Sequence, residues 1–431
     1  MKGLLTASLA ALFAQTLLAQ TPAALTASQR QEVADLKAKA ALLTKEVGRI
    51  ASNSNLQDDD NAVKLLQKIA DELGAIRDRL KALEDGRKED QKRTDKVSAD
   101  VDALKNTKFN GYIQFQYFNS NQHGGSQPNA FLVRRARLGL VQTIDPRATL
   151  RLSAEFAEDT NRMDTRLKDA ILDYDMKPTF GFASKASFGQ MPIPIGYDIE
   201  RSDADRELPE RAVYNRTEFN NERSRGVILR GNPGKHIEVG VGAMDALTVD
   251  DAEQSGLAPG QGSQIAAIGY IRALGPGYRL GISGFTGQRP AFTASSITSP
   301  EVKRSFLYFD AEYHPTFLPN LTIRAEAMTG HDRVPSSTAT ATKTGKPMSG
   351  FQATATYDLS TKNQLNFRIQ QFDPDLSTGG NAINGYGVSY QYFLSPVAKF
   401  QLSHELFTDE SRASINQRRY YQTTLRLQFK F

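Results

Sequence analysis

The sequence predicts an all-β transmembrane barrel of about sixteen antiparallel strands, preceded by an N-terminal α-helical coiled coil. Three observations carry this expectation. The last dozen residues alternate strictly between an apolar set (Tyr421, Thr423, Leu425, Leu427, Phe429, Phe431) and a polar set (Tyr420, Gln422, Thr424, Arg426, Gln428, Lys430). That is the period of a strand with two unlike faces. The same alternation recurs from Phe109 onward, whereas the residues before it are spaced by three and four and contain no aromatic side chain between Gln20 and Lys108.

The first 19 residues read as a secretory signal: Lys2, an apolar run from Leu4 to Leu18, and small residues around Ala19. No other stretch approaches the roughly 20 apolar residues of a membrane helix. A mean hydropathy of −0.45 is compatible with a membrane barrel, because only alternate strand residues meet lipid. Cysteine is absent, which removes disulfides, thiol nucleophiles and thiolate metal sites. The net charge of +5 is spread along the chain, with no concentrated basic face of the kind that binds nucleic acid.

Residues 28–107 carry a heptad seam. Val33, Leu36, Ala40, Leu43, Val47 and Ile50 form its first part, and Leu66, Ile69, Leu73, Ile76, Leu80 and Leu83 its second. An Asp-rich break separates them, and the seam recovers at Val97, Val101 and Leu104. A narrow apolar stripe without aromatics fits burial against sister helices, so a periplasmic homo-oligomeric coiled coil is expected.

From residue 109 to 431 the pattern is that of barrel strands. Leu150, Leu152, Ala154 and Phe156 oppose Thr149, Arg151, Ser153 and Glu155, and Asp145-Pro146, Gly275-Pro276-Gly277, Pro319-Asn320 and Ser360-Thr361 supply turns. The polar face holds Arg135, Arg137, Arg151, Arg279, Arg324, Arg368 and Arg426 beside Glu155, Asp169, Asp173, Glu238, Asp310, Glu326 and Glu405. Charges of both signs on one parity point to a wet lumen. Tyr112, Tyr117, Tyr174, Tyr278, Tyr313, Tyr357 and Tyr392 fall near segment ends, where interfacial girdles sit. A strand ending on Phe431 resembles the closing strand of bacterial outer-membrane barrels. It must pair with Phe109–Phe118, which places Phe431 and Lys108 at one end.

One connection, residues 192–224, is too long for a turn and lacks alternation. It carries Arg201, Arg206, Arg211, Arg216 and Arg223 among eight carboxylates that include Asp198, Asp203 and Glu210. Folded inward, it would narrow the pore and set ion preference through its local field.

Phe131-Leu132-Val133-Arg134-Arg135-Ala136-Arg137-Leu138-Gly139-Leu140 resembles the paired-Arg second strand of the phosphate-selective porin O and P family. Gly189-Gln190-Met191-Pro192-Ile193-Pro194-Ile195-Gly196, Leu208-Pro209-Glu210-Arg211 and Arg225-Gly226 are similar to its constriction-loop entry, loop and following strand. The resemblance implies a homotrimer of outer-membrane barrels passing small anions. In phosphate-specific members a paired Arg, an Asp on the fourth strand and a loop Lys form the central anion site. Arg134 and Arg135 match the pair and Asp169 matches the Asp. No lysine occurs between Tyr197 and Arg225, and Arg206 stands in that loop instead. Arg and Lys present different donor geometry, so the expectation is a general or weakly anion-preferring porin.

The candidate pore and anion residues are therefore Arg134, Arg135, Arg137, Asp169, Arg151, Arg206, Arg211 and Arg225. No cofactor or metal is expected, since the five histidines form no metal-spaced pair. Expected partners are outer-membrane lipid, sister subunits, small anions and, through the coil, peptidoglycan or other envelope components. The alternative function is a barrel anchor that tethers the envelope through its coil.

Overall fold

In a computed structural model the described residues are 27–52, 60–122, 129–158, 165–179, 181–250, 264–290, 292–294, 297–299, 301–332, 345–412 and 414–431. The signal read in residues 1–19 lies outside them. The chain divides into two units, Met1–Lys105 and Asn106–Phe431.

The first unit holds two helices, α1 (Ala27–Ala51) and α2 (Asp60–Lys105). Neither is long and apolar enough to cross a membrane. Their seams meet each other: Ala40, Val47 and Ile50 of α1 are buried with Ile69, Leu73 and Ile76 of α2, flanked by Leu36, Leu43, Leu66 and Leu80. Ion pairs Arg79–Glu32 (2.8 Å) and Lys39–Glu72 (3.1 Å) run in the antiparallel sense. The expected burial against sister chains is thus replaced, over this stretch, by an intrachain hairpin. A seam spaced by three and four residues serves an internal partner as well as an external one. Beyond it, Val97 and Val101 on α2 are exposed.

The second unit is a closed antiparallel barrel of sixteen strands. They are β1 (Thr107–Ser120), β2 (Asn129–Asp145), β3 (Ala148–Glu158), β4 (Arg166–Thr179), β5 (Ala183–Pro192), β6 (Arg223–Gly234), β7 (Ile237–Asp245), β8 (Ile265–Gly275) and β9 (Tyr278–Arg289). A small hairpin, β10 (Phe292–Ala294) and β11 (Ile297–Ser299), lies outside the barrel sheet. The wall continues with β12 (Val302–Tyr313), β13 (Leu321–Asp332), β14 (Lys346–Ser360), β15 (Asn363–Asp373), β16 (Ile383–Ser395), β17 (Ala398–Asp409) and β18 (Arg419–Lys430). Two short helices, α3 (Val213–Glu218) and α4 (Ile415–Arg418), sit in connections.

β18 closes the ring on β1, with Lys430 opposite Tyr112 and Thr424 opposite Phe118. Backbone bonds between Phe431 and Gly111 put the C-terminus beside Lys108, the end that alternation required. Connections at this end are mostly tight, as at residues 146–147, 276–277, 361–362 and 396–397, whereas the opposite end carries the longer ones. That asymmetry is the periplasmic-turn, extracellular-loop pattern of outer-membrane barrels.

Alternation is obeyed in the wall. Phe115, Leu138, Phe156, Leu172, Ile282, Phe309, Phe351, Phe367, Leu402 and Phe429 are exposed on the outer face, while Gln114, Gln116, Glu155, Gln401, Arg426 and Gln428 are buried inside. Two expectations need correction. Tyr112 points inward, with its hydroxyl near Asp203, so it is no girdle residue. Nor is the interior uniformly wet, because an apolar cluster fills part of it: Met191, Ile228, Met244, Phe285, Phe306, Tyr308, Met328, Met348 and Phe372 from the wall meet Ile193, Ile195, Tyr214 and Phe219. Strand alternation separates inside from outside but is blind to what an inserted loop will cover.

Candidate functional site

Residues 193–222 leave β5 and return to β6, yet their partners lie across the barrel. The loop is closed at its base by Ile193 N donating to Glu222 O (2.9 Å). Asn221 and Glu222 adopt left-handed backbone (φ 61° and 59°) to turn back into β6. Further along, Val213 N donates to Gln370 Oε1 on β15, and Gln391 of β16 donates to the carbonyls of Arg206 and Glu207. Gln401 of β17 and Gln428 of β18 bond Glu207 O and Ala204 O. In a ring of sixteen, β15 and β16 stand opposite β5 and β6. The loop therefore spans the lumen from wall to wall.

Three carboxylates anchor it. Glu326 of β13 accepts from Tyr197 N (2.6 Å), Asp198 N (3.1 Å), Tyr214 Oη (2.7 Å) and Asn215 Nδ2 (2.7 Å). Gly196 permits this approach: its φ is 60°, and a Cβ there would come within 2.2 Å of Glu326 Oε2. Asp203 sits among four arginines, Arg135 (3.3 Å), Arg137 (3.2 Å), Arg206 (2.5 Å) and Arg211 (3.1 Å). Glu210 receives Arg134 Nε and Nη2 (3.1 and 3.0 Å), Arg135 Nη2 (3.1 Å) and Arg426 Nη2 (3.0 Å).

Burial opposes ionisation of Asp203, but Arg135, Arg206, Arg211 and Arg137 outweigh it and hold the carboxyl well below the usual range. Burial likewise raises Glu210, and Arg134, Arg135 and Arg426 overcome it to the same effect. Both loop carboxylates are therefore ionised at neutral pH.

Seven of the eight sequence-predicted residues face the interior. Arg134 does so through a bulge: Gln114 pairs with Arg135 and Phe115 with Val133, leaving Arg134 as the extra residue. Two consecutive arginines thus share the inner face, which strict alternation forbids. Asp169 lies apart from the pair, accepting from Ser153 Oγ (2.5 Å) and Arg223 Nε (3.1 Å). Arg137 bridges Glu155 and Asp203. Arg206 and Arg211 belong to the Asp203 cluster. Arg151 pairs with Asp173 (2.8 Å) and keeps 43% of its side chain exposed.

Arg225 is the exception and a correction. It shares the outward parity of Val227, is exposed, and donates to Gln190 Oε1 (3.2 Å) at the long-connection rim. The inward positions around it are Ser224 and Ile228, both fully buried.

Sequence reading did not single out Asp203, Glu210, Arg426 and Arg223 as site residues. Arg426 was legible on the polar parity of β18; for the loop carboxylates, density of charge was the sole signal. On the short-turn side of the loop lies a cavity of about 310 Å³, lined among others by Arg201, Asp205, Glu207, Arg324, Lys399 and Lys430. Among the described residues no group of His, Asp and Glu is arranged to hold a metal ion.

A closed sixteen-stranded barrel with an apolar outer belt and a charged loop drawn through its interior has the architecture of outer-membrane porins. Residues 106–279, β1 to the start of β9, match the family described as phosphate-selective porin O and P, so the resemblance carried by Arg134-Arg135 and the loop entry is shown over that span. The fold is also that of an anion-selective porin from Comamonas acidovorans (TM-score 0.55, 9% identity, covering 75% of this chain and 99% of that one). The outer membrane channel DcaP of Acinetobacter baumannii is similar as well (TM-score 0.53, 11% identity, 75% and 97%). So is the trimer form of OmpT, an outer membrane protein of Vibrio cholerae (TM-score 0.50, 13% identity, 75% and 99%). No curated protein matches the sequence.

Proposed function

We propose that this protein is a channel of the outer membrane that passes small solutes by passive diffusion with a preference for anions. The observation that carries the reading is the loop itself, which crosses the lumen and gathers Arg134, Arg135, Arg137, Arg206, Arg211 and Arg426 around two of its own carboxylates. Solutes pass between the loop and the wall, where the less buried charges lie. Four of these arginines, Arg134, Arg135, Arg137 and Arg426, stand on strands of the wall, so their field acts on a passing ion without reorganisation.

The family match and the anion-selective neighbour support the preference for anions. Phosphate selectivity is a narrower claim, and the loop lacks the lysine it calls for. Assembly as a trimer, with the helical unit 28–107 in the periplasm and the barrel 109–431 in the membrane, completes the proposal.

Planar-bilayer recording tests it. Stepwise conductance is expected, with a reversal potential in a salt gradient that shows anion preference. A preference for cations, unchanged by Arg135→Ala, would overturn the anion reading.

A further inference from the structure

We propose that the cavity of about 310 Å³ on the short-turn side of the loop binds a short zwitterionic peptide, its carboxylate on Lys399 and its ammonium on Asp358. The site is separate from the arginines of the constriction, and its use in transport rests on the channel reading above.

Most of the charge that lines this cavity is already matched. Arg201 Nη1 donates to both oxygens of Glu207 (2.8 and 2.6 Å). Arg324 donates to Glu207 (2.6 Å) and to Glu312 (2.5 Å), and Lys430 pairs with Asp205. Two lining groups of opposite sign are left over. Lys399 of β17 is buried (7% exposed), and its Nζ donates to uncharged oxygens, Gln391 Oε1 (3.2 Å) and Arg206 O (3.3 Å). Asp358 of β14 accepts from the carboxamide of Gln364 (2.8 Å). Among the described residues, Lys399 pairs with no carboxylate and Asp358 with no cation. An ammonium has three donors, so Lys399 keeps one for a ligand, and an unmatched buried charge is costly, so an arriving carboxylate is favoured there.

The separation of the two groups selects the ligand. A simple anion would match Lys399 and leave Asp358 without a partner, whereas a zwitterion serves both. Three strand spacings separate β14 from β17, about 14 Å along the wall. Allowing about 3 Å for a hydrogen bond at each end leaves about 8 Å to bridge. Two extended residues reach about 7 Å, whereas a single carbon separates the charges of an α-amino acid. Beside Asp358 on β14, Thr356 Oγ1 lines the cavity without a hydrogen-bond partner and can accept from a peptide N–H. Phe393, Pro396 and Val397 supply an apolar side for the peptide's side chains. The volume lies at the low end of small-ligand sites, which suits two residues better than a long peptide.

The test uses the full chain, reconstituted in bilayers and also titrated calorimetrically in detergent, at mildly acidic pH where both termini of a dipeptide are charged. The probe is alanyl-alanine, compared with its C-terminal amide, its N-acetyl form and free alanine. In wild type, alanyl-alanine should block chloride current at about tenfold lower concentration than any of the three, the worth of one charge-assisted contact. Lys399→Gln should remove the advantage over the amide, and Asp358→Asn the advantage over the N-acetyl form. Equal block by all four compounds in wild type, or full preference retained in both variants, overturns the proposal. Should Lys399→Gln not fold, the four compounds on wild type still decide it. Calorimetric binding in the expected order without stepwise conductance would leave the site standing and reject the channel. Stepwise conductance with neither block nor binding would reject the site alone.

Discussion

Phe431 exchanges two backbone hydrogen bonds with Gly111 (3.0 and 3.1 Å), and its ring lies over that glycine where a side chain would stand. A Cβ at residue 111 would fall 2.4 Å from Arg137 O and 2.5 Å from Phe431 Cζ. The ring fills the gap in the outer face at the point where the barrel closes. Gly111→Val is expected to destabilise the barrel by about 1–3 kcal/mol through overpacking. Semi-native electrophoresis after graded heating should show the folded form lost at lower temperature, and an unchanged heating profile would contradict this account of closure.

Arg135 and Arg225 make a matched pair of tests, since one faces inward onto Asp203 and Glu210 and the other faces outward onto Gln190. Arg135→Ala should lower the anion preference read from reversal potentials and cost about 3–5 kcal/mol, because it leaves buried carboxylates underpaired. Arg225→Ala should leave selectivity as in wild type. A selectivity change in Arg225→Ala alone would place that side chain in the pore after all.

Asp203 is the common acceptor for four arginines, one pair from β2 and one from the loop. Asp203→Asn removes the counter-charge the four share, leaving Arg135 on Glu210, Arg137 on Glu155 and Arg211 on Glu222. The expected cost is again about 3–5 kcal/mol, concentrated in the loop. Limited proteolysis should then cut between residues 193 and 222 faster than in wild type, and single-channel conductance should rise as the loop loosens. Resistance equal to wild type would show that other contacts suffice to hold it.

The acid response follows from the same groups. Asp203 and Glu210 are both held below the usual carboxylate range. Groups of this kind contribute stability that is fully present above the unfolded carboxylate pKa of about 4 and is lost as pH falls through the lower folded value. The thermal midpoint attributable to the loop should therefore stay level from neutral pH down to about 4 and fall in stronger acid. In Asp203→Asn combined with Glu210→Gln that acid-dependent fall should shrink. A decline beginning near neutrality and traceable to these two residues would refute the assignment.

Leu73 of α2 is buried in the helical hairpin with Ile69 and Ile76. Leu73→Asp should lower helical circular dichroism while conductance and barrel heat resistance stay as in wild type. Retained helicity would mean that the seam has a partner beyond α1.

The outer shell of this protein was legible in sequence because lipid imposes a period-two code. Strand count, the closing pair of β1 and β18 and the inward parity of Arg135, Arg137, Arg151 and Arg426 all follow from it. The heptad seam likewise announced helices, since apolar residues spaced by three and four have one sensible use. What that code leaves open is the identity of the partner. Val47 and Ile50 are buried with Ile69 and Leu73 of the same chain, a choice of partner that the spacing of the seam does not make. Arg134 reached the lumen through a bulge that shifts parity by one residue. Arg225, matched by motif, was turned outward by its register with Gln190. The largest share of what tertiary structure decided lies in residues 193–222, which have no periodicity to read. Their fold is set by long-range pairing of loop carboxylates with wall arginines, so Asp203 and Glu210 become legible once the barrel has brought β2, β15 and β18 around them.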